Sequence, residues 1–484
     1  MDHEPKLREE QDSLGTLQIP DEVYYGIMTE RVRKNFGRIT GWNLSEHLPH
    51  YLYCMAGLKK ACAITNGKIG ALDGQIVSAI CQAAEELMDG RLQVSIPIDL
   101  VANGTPGNMS VNEIIANRAN EILTGHKGND LVHPNTHVNM GQSTNDVHPS
   151  GLKLALYLTI QELLPKINDL ESILTYKAEQ FKDVVKVGRT CLQDALPITI
   201  GQQFSGYQSF LHRQYQEIAQ TAQELLVLPL GGTAIGTCVG TFPGYVEQVC
   251  DEVAAIFDLP VTQAENLFDA FQSADTFIRV SASLKSLATG LARMAKDLMF
   301  MSSGPQAGIG EITIPAIQPG SSIMPGKVNP VVFMAMVDIA HQVCGQDVTV
   351  TMQVEGEGDN LELQLYLNMA SNALFQSCTM LQHFLPVLGS CISGIEANRE
   401  RCQHEAEWSP AMATIISAIY GYPMGSKVAK EALREHKTVK QVTVEMGLLT
   451  ADEAEQLLNP LAMAHYLEHM EAIFAKKKQV AIQA

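Results

Sequence analysis

The chain has 484 residues, a formal net charge of −19, and a composition that is 46% hydrophobic and 18% charged. That length excludes one small core and predicts two or three domains, while the apolar content excludes a disordered chain. The acidic balance argues against nucleic acid, which needs clustered Lys and Arg. It leaves room for a small anionic substrate, because one local lysine outweighs a diffuse surface field.

The first residues, "MDHEPKLREEQDSLG", are charged and have no apolar signal core. Apolar runs fall far short of the ~20 residues that a membrane span needs. Ten cysteines are scattered without a CxxC pair or a zinc-type spacing. In a chain this long, that pattern predicts reduced thiols and a cytoplasmic protein. Residues 1–145 are broken by the turn signals "GTPGN" and "HPNTHVNMGQSTND". A helical stripe then runs through Leu156, Ile160, Leu163, Ile167, Leu170, Leu174, Ala178 and Phe181, with Pro165 as a local kink. A second runs through Val280, Leu284, Leu287, Leu291, Met294 and Leu298. Both read as core, and stripes of this length suit a bundle whose seams join subunits. From about residue 401 the helices shorten, and "TADE" (Thr450 to Glu453) is a capping-box signature. The expectation is an all-α protein in three regions: 1–145, 146–400 and 401–484.

Three polar segments interrupt this pattern. The first is "NGTPGNMSVNEIIANRANEIL" (103–123) with the following "HPNTHVNMGQSTNDVHPSG"; the second is "GRTCLQDALPITIGQ" (188–202); the third is "GSSIMPGKVNP" (320–330). Each sets glycine and small hydroxyl or amide side chains beside a helix. A glycine-bearing turn that runs into a helix start aims backbone N–H groups at one point, which suits an anion. Gln142, Ser143, Thr144 and Asn145 add neutral donors, and Lys327 adds a cation.

Some look-alikes fail on spacing. "GSSIMPGKV" has five residues between its glycines where a P-loop has four, and Val328 stands where Ser or Thr would hold magnesium. "GGTAIGTCVG" (231–240) follows no clear strand, so a dinucleotide turn is a weak reading. His133 and His137 are four apart, but Pro134 intervenes and no third ligand stands out, so ordinary loop hydrogen bonds are expected. "EGEGDN" (355–360) reads as a solvated acidic turn.

Taken in order, these blocks resemble the aspartase/fumarase superfamily over nearly the whole chain. "GSSIMPGKVNP" looks like its signature, and "LGTLQIPDEVYYGIMTERVRKNF", "NGTPGNMSVNEIIANRA", "HPNTHVNMGQSTND", "GRTCLQDALPITIGQQF" and "GGTAIGT" resemble its other blocks. "SSGPQAGIGEITIPAIQPGSSIMPGKVNPVV" and "EMGLLTADEAEQLL" read more like an aspartase than a fumarase. The resemblance implies a homotetramer around a central bundle of long helices, each active site drawing on three subunits. It implies elimination of a group β to a carboxylate, through an aci-carboxylate, on a small dicarboxylate or amino-acid substrate, with no cofactor. Ser321 matches the family's base. Lys327, Asn329 and the backbone of 320–326 would stabilise the intermediate. Thr105, Ser143, Thr144, Asn145 and Thr190 match substrate-binding positions, with Cys191 and Ser322 beside them.

The chain also departs from the family's pattern. Cys191 stands where His is usual, or Gln in some aspartases, and Met334 stands where a Glu pairs with that His. Asn103, Met140 and Gln203 replace Ser, Lys and Glu, and "NLELQLYLNM" lacks its usual charged residue and proline. Joint loss of a coupled polar pair avoids the ~1–3 kcal/mol of one unpaired buried group. Hydroxide needs a proton donor to leave, whereas a protonated amine leaves as neutral ammonia. The expected reaction is therefore loss of ammonia from L-aspartate or a close analogue. The alternatives are a fumarate hydratase and a non-catalytic structural paralogue.

Overall fold

The computed structural model describes residues 6–355, 361–364 and 366–483. The acidic turn expected at 355–360 lies outside this set, apart from the helical backbone of residue 355. Among the described residues the secondary structure is helical except for four two-stranded ribbons, the all-α class expected. The long helices are Thr144–Gln180, Ile200–Gln223, Asp275–Met301, Val331–Glu355 and Leu367–Ser393. No helix among the described residues is long and apolar enough to cross a membrane.

Both apolar stripes are helical. Val280, Leu284, Leu287, Leu291, Met294 and Leu298 are all buried in Asp275–Met301. Leu156 to Leu174 of the first stripe are buried in one helix that continues through Pro149 and Pro165. That helix ends at Gln180, so Phe181 is buried just beyond it. Burying a leucine stabilises the fold by about 1.5–3 kcal/mol, which is why a 3.6-residue period of apolar side chains outweighs two internal prolines.

The chain divides into two compact units. One comprises residues 1–165, 214–288 and 339–382; the other comprises 166–213, 289–338 and 383–484. In the first unit, helices Tyr51–Lys68, Gly74–Met88 and Gly104–Thr124 pack together. The second carries the antiparallel ribbon Val185–Thr190 with Gln193–Thr199. Its C-terminal helices close over a core that includes Ile415, Ile416, Ile419, Val428, Val442 and Leu457.

The capping box read from "TADE" is present: the Thr450 hydroxyl accepts from Glu453 N, and the Glu453 carboxylate accepts from Thr450 N. Thr450→Ala removes half of that exchange and should cost about 1 kcal/mol at this helix start. Hydrogen exchange at the amides of 451–454 should accelerate relative to the neighbouring helix; unchanged protection there would contradict the cap's contribution.

Candidate active site

In the first unit, two helix starts lie side by side. Helix Gly104–Thr124 follows Asn103, whose φ of 66° and ψ of −172° fall in a region that is normally glycine's. Asn103 gives this helix no side-chain cap, so first-turn N–H groups beside Thr105 are left for another partner. Thr105 is exposed. Helix Thr144–Gln180 begins at Thr144, and Asn108 ties the two starts together by donating its amide to Thr144 Oγ1 at 3.1 Å. Neutral donors at paired helix starts suit a carboxylate.

The ground under these starts is polar. Lys59, fully buried on helix Tyr51–Lys68, donates to Asn108 Oδ1 (2.6 Å), Gln142 Oε1 (2.7 Å) and Asn139 Oδ1 (3.1 Å). Burial pushes its ammonium down to about 7, although Cys62 and Asp146 pull it back up. Asp146 accepts from Ser143 N at 2.8 Å and from the N–H groups of Thr233 (3.0 Å) and Gly231 (3.2 Å). Burial pushes its carboxyl up to about 7 against those donors. The glycine-rich 231–240 turn therefore anchors the "QSTND" segment, and Asn145 Nδ2 donates to Ala234 O at 2.8 Å. Gln142 is a correction to the sequence reading: its Nε2 donates to the carbonyls of Val138 and Met140, so it is committed to the scaffold.

His148 locates the first helix start. Its Nε2–H donates to Asn368 Oδ1 and its Nδ1 accepts from the Tyr51 hydroxyl, both at 2.6 Å. Burial pushes the imidazole down to about 4, so it is neutral at pH 7. A Cβ on Gly104 would lie 2.6 Å from His148 Cδ2, so only glycine allows this approach. His133 and His137 make loop hydrogen bonds, as read from the sequence: His133 Nδ1 accepts from Asn135 N and Thr136 N, and His137 Nδ1 accepts from His133 N.

In the second unit, Thr190 and Cys191 sit at the tip of the Val185–Thr190/Gln193–Thr199 hairpin. Cys191 and Leu192 form its two-residue turn with φ of 52° and 61°. This is the twist of a type I′ turn, which favours Asn-Gly, so both residues hold a strained backbone. Cys191 is exposed and Leu192 is 69% exposed. The base of the hairpin is fixed by charge. Arg189 pairs with the fully buried Glu311 at 2.5 Å and with Glu405 at 3.2 Å. Lys186 Nζ lies 3.3 Å from Glu311 Oε2 without the alignment of a hydrogen bond. A cleft of about 600 Å³ lies beside the hairpin, walled by Arg189, Thr190, Leu192, Leu196, Phe300 and Met301.

The 320–330 segment is a closed loop. Gly320 N donates to Lys327 O at 2.8 Å, and Asn329 Nδ2 donates to Gly320 O at 2.9 Å. A Cβ on Gly320 would meet Lys327 O at 2.7 Å, which accounts for that glycine. Ser321 Oγ accepts from the backbone N–H groups of Met324 (3.0 Å) and Ile323 (3.2 Å). Ser322 and Lys327 are exposed, as are Ile323 (83%), Met324, Val328 and, on the following helix, Met334. Each unit thus gathers some of the expected residues: Thr105, Ser143, Thr144 and Asn145 in the first; Thr190, Cys191, Ser321, Ser322, Lys327 and Asn329 in the second.

Gly104→Ala should displace His148 and tilt the first helix start, weakening dicarboxylate binding measured by calorimetry while the protein remains folded; unaltered binding would contradict the packing argument. Glu311→Gln leaves Lys186 and Arg189 without their buried counter-charge, a loss of about 3–5 kcal/mol. It should lower the thermal unfolding midpoint clearly, and a midpoint equal to the parent's would show that the hairpin does not depend on this pair.

Comparison with known proteins places the chain in a family. A family described as "Lyase" matches residues 15–345, and one described as "Fumarase C C-terminus" matches 412–465. The chain is 40% identical to an aspartate ammonia-lyase of Bacillus subtilis over 95% of its own length and 96% of that protein's. It is 39% identical to a class II fumarate hydratase of Neisseria meningitidis over 95% and 99%. Among solved structures, a Brucella melitensis protein described as fumarate lyase:delta crystallin, bound to cobalt, superposes with a TM-score of 0.90 at 38% identity, covering 95% of this chain and all of that one. The class II fumarase of Schistosoma mansoni gives 0.89 at 32%, covering 95% and 99%. With matches of this extent, the chain belongs to the aspartase/fumarase superfamily of lyases.

Proposed function

We propose that the protein is an ammonia-lyase that converts L-aspartate, or a close analogue, to fumarate and ammonia. The observation that carries this reading is the pair of backbone N–H groups directed at Ser321 Oγ. A serine is a useful base only if its alkoxide is stabilised, and two fixed donors do that at no reorganisation cost. Ser321 takes a proton from the carbon next to the distal carboxylate, and the electron pair moves onto that carboxylate as an aci-carboxylate. Lys327, the second N–H of Asn329 and the 320–326 backbone stabilise the charge. Collapse of the intermediate breaks the C–N bond and releases ammonia. Thr105, Ser143, Thr144, Asn145, Thr190, Cys191 and Ser322 hold the carboxylates and the amino group, and no cofactor is required. Cys191 at the hairpin tip stands where the family usually has the His that would protonate a departing hydroxide, which favours ammonia.

In the proposed homotetramer, the loop, the hairpin and the paired helix starts come from three different subunits, within the 1–145, 146–400 and 401–484 organisation. The exposed Ile323, Met324 and Val328 support a loop that is covered by a neighbour or by bound substrate. A cytoplasmic location fits free thiols at all ten cysteines. The second reading, a fumarate hydratase, is favoured by the near-equal identity to a class II enzyme.

Absorbance of the alkene product separates the two readings. Aspartate, or an analogue substituted at the distal end, should give product and malate should not. Ser321→Ala should lower kcat by about 10²–10⁴-fold, the usual contribution of a positioned base. Turnover of malate alone would establish the hydratase, and undiminished turnover after Ser321→Ala would refute the base assignment.

A further inference from the structure

Lys59 is a basic side chain that lies against the paired helix starts and has no exposed surface. Its ammonium has three N–H donors and no acceptor, so each hydrogen-bond partner must present an acceptor atom. Its three partners are side-chain carbonyls, those of Asn108, Asn139 and Gln142. This fixes which way each amide faces. With Asn108 Oδ1 turned to Lys59, Asn108 Nδ2 faces Asn139 Oδ1 at 3.2 Å and Thr144 Oγ1 at 3.1 Å. Asn139 Oδ1 also accepts from Asn112 Nδ2 at 3.0 Å, so it has no reason to rotate. Thr144 Oγ1 accepts from Asn108, and its own proton has no acceptor among the described residues.

We propose that Lys59 is a positioning residue that sets the hydrogen-bond polarity of the dicarboxylate pocket: by fixing Asn108, it makes Thr144 an acceptor toward the protein and a donor toward the bound carboxylate. This role rests on the reading of Thr144 as a substrate-binding residue. Without the ammonium, the Asn108 amide is free to turn. Thr144 can then donate to Asn108 Oδ1, and it presents a lone pair to an anion. The charge also lies beneath the helix starts without being neutralised at contact distance. Asp146 is the nearest acidic group, and its oxygens are taken by Ser143, Gly231 and Thr233. A dianion above would thus meet a hydroxyl donor, two helix starts and a buried cation, all supplied before it arrives.

The full-length protein in its native assembly tests this. Fumarate affinity is read by titration calorimetry for the parent, Lys59→Met, Thr144→Val and the double variant, with assembly checked by size-exclusion chromatography. Lys59→Met should weaken binding about ten-fold or more, the scale of one hydrogen bond to a charged group. It should raise KM more than it lowers kcat, which loss of folded protein would not do. The double variant should bind no more weakly than Thr144→Val alone. Asn108→Asp covers the case in which a buried methionine prevents assembly. It keeps an oxygen for Lys59 but removes the N–H that orients Thr144, and should weaken fumarate in the same direction. Parent-like affinity in Lys59→Met, or in Asn108→Asp where the first does not assemble, overturns the proposal. So do losses that multiply in the double variant. A parent protein that binds no fumarate refutes the dicarboxylate reading itself, whereas fumarate binding that is indifferent to these changes refutes only the role of Lys59.

Discussion

An ammonium cut off from water must direct all three of its N–H groups at protein oxygens, because an unpaired buried charge would cost several kcal/mol. Around Lys59 that demand organises much of the first unit's polar interior. Helix Tyr51–Lys68 supplies the ammonium, and helix Gly104–Thr124, the Pro134–Val138 turn and the start of Thr144–Gln180 each supply or adjoin one of its acceptors. Asp146 plays the opposite part, collecting backbone N–H groups from the 231–233 turn. Together they fix a polar floor beneath Thr144 and its neighbours Ser143 and Asn145. A dianionic ligand calls for such a floor, because donors fixed in advance need no rearrangement when charge develops.

The second unit solves a different problem. A strained hairpin tip and a closed loop must each hold its place while remaining exposed. The tip does so because Arg189, one residue from Thr190, is fastened to Glu311 and Glu405. The loop does so through the bonds that join Gly320 to Lys327 and Asn329. In both places a stiff base supports a strained or solvent-facing end, where functional groups are commonly found.

The sequence announced the long helices because a 3.6-residue apolar period survives even internal prolines, as at Pro149 and Pro165. It also marked the three polar segments, since glycine and proline beside hydroxyls have little use in a packed helix. The hairpin was not legible. Its turn is Cys-Leu rather than Asn-Gly, and its strands carry only a brief alternation at Val185 and Val187. Lys59 was hidden for another reason: it adjoins Lys60 in an apolar helix, and nothing local says which of the two turns inward. Glu311 and Arg189 are separated by 122 positions, so their pairing belongs to the fold alone. Asp146 and the 231–240 glycines were visible as residues, but their mutual hydrogen bonds were not.

In the proposed tetramer, Ser321 and Thr144 act on the same substrate molecule while belonging to different subunits. Subunit complementation tests it most directly. Chains carrying Ser321→Ala and chains carrying Thr144→Val, each inactive alone, are unfolded together, refolded as mixed assemblies and assayed for fumarate formation from the substrate. The account predicts that activity returns in the mixture, because some hybrid sites combine an intact serine with an intact threonine. Mixtures that assemble as the parent does but remain as inactive as either variant alone would contradict it.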